Sequence, residues 1–335
     1  PALLGLAAAV VATGVVNAVA RRHGLLDRPD PARRTHDVPT PRLGGVGIVL
    51  GVVLAVGAST VRVPDAVLVG AGGFFLVGLI DDLAARGVGL RARWKFLLLA
   101  AVATASVALG ARFDGAAAGP WPALDLGRAA APLTVLWFLA VANVVNFMDG
   151  TDAIAATTAA VILAAAAAAA PASLAGLDAG AAAAVVGFLV WNAPKARIFM
   201  GDGGAYLLGF LVAAAPCRFG GSDVATSTSW PLVGAALVPS IVDVVEALIH
   251  KRRAGIPLAR PHHDHLYQRL VKAGHPPALV AVRYGALALA AIAVAGPVAD
   301  RLGAPPAAAI GLMILGTHLA LGRRSVRGVP RLGAS

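Results

Sequence analysis

Five aspartates stand where apolar runs begin or end. Asp81 and Asp82 are adjacent in "LIDDL", Asp149 and Asp152 lie three apart in "NVVNFMDGTD", and Asp202 falls in "RIFMGDGGAYLLGF". Asn143 and Asn146 precede the second pair at the same interval, which on a helix makes a slowly drifting polar stripe. Taken singly, each has a bland reading: a solvated helix end, interhelical glue or a flexible glycine turn. Together they are harder to dismiss, because carboxylates at membrane depth are costly and line polar cavities or substrate paths. All-oxygen donors without a thiolate suit Mg²⁺, with Mn²⁺ as a substitute, and Mg²⁺ takes one or two protein carboxylates and completes its shell with phosphate. Arginines, glycine turns and the histidines of "ARPHHDHLYQRL" suit a phosphate-rich ligand. The chemistry expected is metal-assisted phosphoryl transfer at a membrane surface. Zinc on His262, His263 and His265 is disfavoured, since no fourth ligand stands at a suitable spacing.

The elements that must carry these residues are membrane helices. Of 335 residues, 58% are hydrophobic and 13% charged, against about 25% charged in an ordinary soluble domain. The fold class expected is all-α: a polytopic transmembrane helical bundle forming one domain over residues 1–335, with no loop long enough to build a second core. Hydropathy gives about eleven spans, at 2–20, 43–60, 66–80, 95–110, 131–147, 153–170, 179–192, 204–216, 231–250, 280–296 and 305–322. The first run is read as a membrane helix, because Arg21 and Arg22 follow it where a signal peptide would be cleaved. The alanine tract at 164–170 is a small-residue packing face. Cys217, the single cysteine, excludes an intramolecular disulfide and is read as an ordinary interfacial residue.

Basic residues alternate between loops. Segments at 21–42, 86–95, 195–197 and 251–283 and the tail (Arg323, Arg324, Arg327 and Arg331) hold most of them, on the side of loops at about 21–42, 81–94, 148–152, 193–203 and 251–279, whereas the opposite set holds Arg62, Arg112, Arg128, Arg218 and Arg301 with scattered Asp65, Asp114, Asp125, Asp178, Asp223 and Asp300. The positive-inside rule makes the first set cytoplasmic, with the N-terminus outside and the C-terminus inside. The net charge of +11 is therefore a topology signal. Nucleic acid is not an expected partner, because the basic residues are spread over separated segments; membrane lipid is. A transporter or flippase would place ionisable groups at the midplane in repeated halves. Here the carboxylates gather at one face, and only Asp243 and Glu246, read as lining the inner cavity, lie deeper.

The motifs, in their order and spacing from "DRPDPARRTHDVPTPRLGG" through "HHDHLYQRL", resemble the polyprenyl-phosphate N-acetylhexosamine-1-phosphate transferases of glycosyltransferase family 4 type. That family includes the phospho-N-acetylmuramoyl-pentapeptide translocase and the undecaprenyl-phosphate N-acetylglucosamine-1-phosphate transferases. The resemblance implies an enzyme of the inner (plasma) membrane with its active site on the cytoplasmic face. It would move a sugar-1-phosphate from a UDP-amino sugar to undecaprenyl or another polyprenyl phosphate with Mg²⁺, releasing UMP and starting a lipid-linked envelope polysaccharide. By motif match, Asp81 and Asp82 are the catalytic pair, one of them activating the lipid phosphate, and His262 and His265 belong to the catalytic histidine loop with Arg260 on substrate. Asn143, Asn146, Asp149, Asp152 and Phe199 would line the nucleotide site, with Asp152 on uracil and Phe199 near the base, while Asp202 and Asp149 would hold the metal. Direct attack and an aspartyl-phosphate route are both compatible with these residues, as is a homodimer. Two positions depart from the family pattern: Ala153 replaces the last glycine of DGxDG, and Ala205 replaces the serine of FMGDxGS. "HHDHLYQRL" followed by "KAGHPP" is more similar to the branch that starts surface-polysaccharide carriers than to the pentapeptide translocase.

Overall fold

In lipid, a backbone must satisfy its own hydrogen bonds, so apolar runs of this composition form helices. The computed structural model describes residues 1–27, 38–60, 62–84, 89–113, 115–116, 124–169, 172–219, 229–257, 264–302, 313, 316–320, 322–326 and 328–329. Its helices are α1 (Ala2–Arg22), α2 (Gly44–Gly57), α3 (Asp65–Ala84), α4 (Ala92–Ala108), α5 (Ala130–Met148), α6 (Ile154–Ala169), α7 (Ala172–Asn192), α8 (Gly201–Ala214), α9 (Ser229–Arg253), α10 (Leu266–Lys272) and α11 (Pro277–Leu302). Among the described residues, strand is confined to three two-residue antiparallel pairings; in one of them β1 (Leu26–Asp27) pairs with β2 (Thr40–Pro41), with Asp27 opposite Thr40.

Among the described residues, six helices are long and apolar enough to cross a membrane: those at Ala2–Arg22, Asp65–Ala84, Gly127–Met148, Ala175–Asn192, Leu232–Arg253 and Pro277–Val294. Gly44–Gly57, Ile154–Ala169 and Gly201–Ala214 are apolar but shorter. The protein is thus an all-α membrane protein. The last expected span, 305–322, falls largely outside the described residues. Large apolar side chains face outward along several helices, among them Val53, Leu68, Leu97, Leu136 and Val282, as expected where the solvent is hydrocarbon.

Helix α8 is the axis of the bundle: every described side chain from Gly203 to Ala214 is buried. Phe210 lies against Phe74 of α3 and Phe138 of α5, with ring centroids 5.1 and 4.9 Å apart. All three rings are fully buried. Lipid offers little hydrophobic drive for helix association, so tight packing and tilted ring pairs, each contributing about 1 kcal/mol, must hold the helices together. This knot fixes α3, α5 and α8, whose ends carry Asp81, Asp82, Asn146, Asp149 and Asp202.

One expectation is corrected: Asp178 is not in an outer loop, because α7 begins at Ala172 and Asp178 is buried in its second turn. Cys217 is fully buried just past α8, where its thiol donates to the carbonyl of Ala213 (3.5 Å).

Candidate active site

Helix α3 ends and α8 begins at the same place. The Asp82 carboxylate accepts the backbone N–H groups of Asp202 (3.0 Å) and Gly203 (2.9 Å). The first N–H groups of a helix have no partner inside it, so Asp82 caps α8 from a neighbouring helix and aims the Asp202 side chain. The approach is close enough to demand glycine twice. At Gly78 a Cβ would collide with the Asp202 carbonyl, and at Gly201, whose φ is +77°, with the Arg42 carbonyl and the Asp82 carboxylate.

Two cations bridge the carboxylates. Lys95 Nζ donates to Asp81 Oδ2 and to Asp202 Oδ2, each at 2.7 Å, and the Leu90 N–H donates to Asp81 Oδ1 at 2.6 Å. The Arg42 guanidinium lies 3.8 Å from Asp82 and 3.9 Å from both Asp202 and Asp27. Pairing of β1 with β2 brings Asp27 to it. Burial disfavours the charge on Arg42, but Asp82, Asp202, Asp27 and Asp149 outweigh that and hold the guanidinium above its ordinary value.

From α5, Asn146 Nδ2 donates to Asp202 Oδ1 (3.2 Å), whereas Asn143 Nδ2 turns back to the Leu139 carbonyl of its own helix (2.7 Å). Asp149 caps the end of α5. Burial first, and then the charge of Asp202, raise its carboxyl well above the usual carboxylate range. Four gathered carboxylates (Asp81, Asp82, Asp149 and Asp202) therefore face two cations. The donor chemistry fits a hard divalent ion taken by one or two carboxylates and completed by phosphate. Among the described residues, no three of His, Cys, Asp and Glu are grouped to hold an ion unaided.

The loop after α5 is clamped to the loop before α8. Asp152 Oδ2 accepts the Ala196 N–H (2.9 Å), and Asn192 accepts the Ala153 N–H (2.7 Å) while donating to the Ile198 carbonyl (2.9 Å). Ala153 has φ +65°, a left-handed conformation that favours glycine. Phe199, half-buried, is fixed by its backbone: its N–H donates to Pro41 O (2.8 Å) and its carbonyl accepts Gly44 N–H (2.9 Å).

Of the histidine loop, Arg260, His262 and His263 lie outside the described residues. His265 is buried at the N-terminus of α10, stacked near Phe147 and Tyr267, with Nδ1 3.4 Å from Asp243 Oδ1. Asp243 and Glu246 line a small cavity together with His250, Asp264 and Arg269, and Asp243 also has a structural role: its oxygens accept Leu266 N–H (2.7 Å), Tyr267 N–H (3.1 Å) and Tyr284 O–H.

The structure thus gathers Asp81, Asp82, Asn146, Asp149 and Asp202, and sets Asp152 and Phe199 on the adjoining loops. Reading the sequence by charge alone missed Arg42 and Lys95, which counted only toward topology. Lys95 carried a usable signal, since it opens an apolar span where an ammonium needs a partner.

Comparison with known proteins fits this arrangement. The family model described as "Glycosyl transferase family 4" matches residues 65–219. A decaprenyl-phosphate N-acetylglucosaminephosphotransferase of Mycobacterium tuberculosis (strain ATCC 25618 / H37Rv) is 31% identical, with 82% of this chain and 76% of that protein aligned. The chain belongs to glycosyl transferase family 4. Another relative in Bacillus subtilis (strain 168), named "Probable undecaprenyl-phosphate N-acetylglucosaminyl 1-phosphate transferase", is 31% identical over 81% of this chain and 76% of its own length. A phospho-N-acetylmuramoyl-pentapeptide-transferase of Mycobacterium sp. (strain JLS) is 32% identical over 78% of this chain and 86% of that one. The matched part of this family-4 chain includes every gathered carboxylate, together with Lys95; Arg42 and the histidine loop lie outside the family-model match.

Proposed function

We propose that this membrane enzyme transfers a HexNAc-1-phosphate, or a modified amino-sugar-1-phosphate, from a UDP-sugar to undecaprenyl or another polyprenyl phosphate, releasing UMP. The observation that carries the reading is Asp202, held by Lys95, Asn146 and Arg42 from three other segments at the ends of apolar helices. An acid-rich site with embedded cations at such a position suits a lipid-borne phosphate meeting a water-soluble diphosphate. An oxygen of the lipid phosphate attacks the sugar-bearing phosphorus; the bond from that phosphorus to the bridging oxygen breaks; UMP leaves with that oxygen. A phosphate monoester loses its second proton near pH 6, so at neutral pH the attacking group is largely dianionic. The site's task is then chiefly to position it and to balance charge. Arg42 and Lys95 supply donors, and Asp81 and Asp82 hold those donors and the start of α8 in place. Mg²⁺ or Mn²⁺, bound through Asp202 and Asp149, would stabilise charge on the phosphoryl oxygens. Asp152, Asn192 and Phe199 would form the nucleotide wall, and His262 and Arg260 would serve the diphosphate.

The proposed setting is an eleven-span bundle in the inner membrane with this site facing the cytoplasm. Cysteines at Thr40, Arg91 and Lys272 should resist an impermeant reagent in intact cells, and one at Asp65 should react; the reverse labelling would refute that orientation. Activity is tested on purified protein with undecaprenyl phosphate, Mg²⁺ and a panel of UDP-amino sugars, read as UMP release. UDP-MurNAc-pentapeptide belongs in the panel, because the pentapeptide-transferase relative supports a second reading. No UMP from any donor would refute both.

A further inference from the structure

Asp243 is among the most deeply buried charged residues described, at 1% exposure, seven residues inside the basic end of α9. A carboxylate there is costly unless its lone pairs are filled, and they are filled by groups from two other elements. Oδ1 accepts the Leu266 N–H (2.7 Å) and lies 3.4 Å from His265 Nδ1, the long edge of hydrogen bonding. Oδ2 accepts the Tyr267 N–H (3.1 Å) and the Tyr284 hydroxyl of α11. The seven-residue α10 is too short to be stable alone, and its first two N–H groups both end on this one side chain.

The path continues toward the carboxylate cluster. The Tyr267 hydroxyl donates to the Phe147 carbonyl (2.8 Å) in the last turn of α5. Asn146, one residue earlier, donates to Asp202, and Asp149 follows two residues later. The ring of His265 stacks between Phe147 and Tyr267, with centroids 6.3 and 5.4 Å away. A side chain in α9 therefore registers α10 against the end of α5.

We infer that Asp243 is a positioning residue: through His265 and Tyr267 it fixes the end of the histidine loop against the α5 terminus that carries Asn146 and Asp149. The clamp made by Asp152, Asn192 and the 193–200 loop does not pass through Asp243. Loss of the carboxylate should then misplace groups around the reacting phosphates more than it weakens nucleotide binding. The inference rests on the proposed phosphotransferase reading for its kinetic readout, and on hydrogen exchange for a readout independent of it.

The test uses the full-length protein in detergent micelles. Asp243→Asn replaces one acceptor oxygen with a donor that faces other donors. It should speed exchange of the Leu266 and Tyr267 amides at least tenfold and leave α1 and α2 unchanged. It should also lower kcat for UMP release at least tenfold, with KM for the UDP-sugar within threefold. Tyr267→Phe cuts the same path downstream, so the double variant should be less than threefold slower than the slower single variant. Unchanged exchange at Leu266 and Tyr267 overturns the capping role. Losses that multiply in the double variant, or a loss confined to KM, overturn the positioning role. If Asp243→Asn does not fold, Tyr284→Phe removes one donor and keeps the carboxylate; it should cost three- to tenfold in kcat, and normal turnover would overturn the inference. A wild-type protein silent toward every UDP-sugar refutes the phosphotransferase reading and leaves the exchange measurement to decide Asp243.

Discussion

The ends of α3, α5 and α8 and the junction of α9, α10 and α11 both bury carboxylates, yet they are filled in opposite ways. At the junction one carboxylate, Asp243, receives two backbone N–H groups and a tyrosine hydroxyl, with an imidazole close by. In the cluster four carboxylates share Arg42, Lys95, Asn146 and a few backbone amides, and burial beside Asp202 lifts the Asp149 carboxyl well above the usual range. A saturated carboxylate holds shape. An acid-rich cluster short of positive charge is less stable than it could be, and that is a form suited to taking up cation and phosphate.

Substitutions should separate the two. Asp243→Ala orphans three buried donors, so unfolding free energy should fall by about 3 kcal/mol, measured by chemical denaturation in micelles; an unchanged midpoint would erase the distinction. Asp202→Asn should shift the midpoint less than Asp243→Ala does while turnover falls at least about 100-fold, close to 2.7 kcal/mol in barrier. Chelation of divalent ions should abolish turnover, with recovery on adding Mg²⁺ or Mn²⁺; full rate in excess chelator would contradict the role given to Asp202. Arg42→Ala is expected to cost about tenfold in kcat/KM, or about 1.4 kcal/mol, with the larger part in KM for the UDP-sugar. The smallest effect belongs to Ala153→Gly. It relieves a left-handed alanine, worth about 1–2 kcal/mol, against about 0.5–1 kcal/mol of added chain entropy, so a gain of about 0.5 kcal/mol should appear in the same denaturation assay.

These contrasts also mark what the sequence revealed. Asp81, Asp82, Asp149, Asp152 and Asp202 stood out because a carboxylate in an apolar run has few inexpensive reasons to be there, and helix runs of this hydropathy leave little else to build. Arg42 and Lys95 did not, because an arginine near a membrane surface looks the same whether it meets lipid or three aspartates; only the meeting of α3, α4 and α8 distinguishes them. Asn143 and Asn146 share a spacing but not a fate, since 3.6 residues per turn carries one toward Asp202 and leaves the other on its own helix. Helix α10 was unreadable as an element, being seven residues whose amides are completed by a side chain far back in the chain. Asp178 was misplaced because hydropathy blurs a helix start in alanine-rich sequence.

The glycines behind Asp202 bear on heritable variation. At positions 78 and 201 the smallest added side chain meets backbone or carboxylate atoms that hold the cluster. A mutational library should therefore find both positions nearly intolerant, while the outward-facing leucines and valines exchange freely. A lineage under pressure to alter this pocket has its back wall closed to it and must vary instead in the loops at 149–153 and 193–200, where Ala153 already departs from glycine.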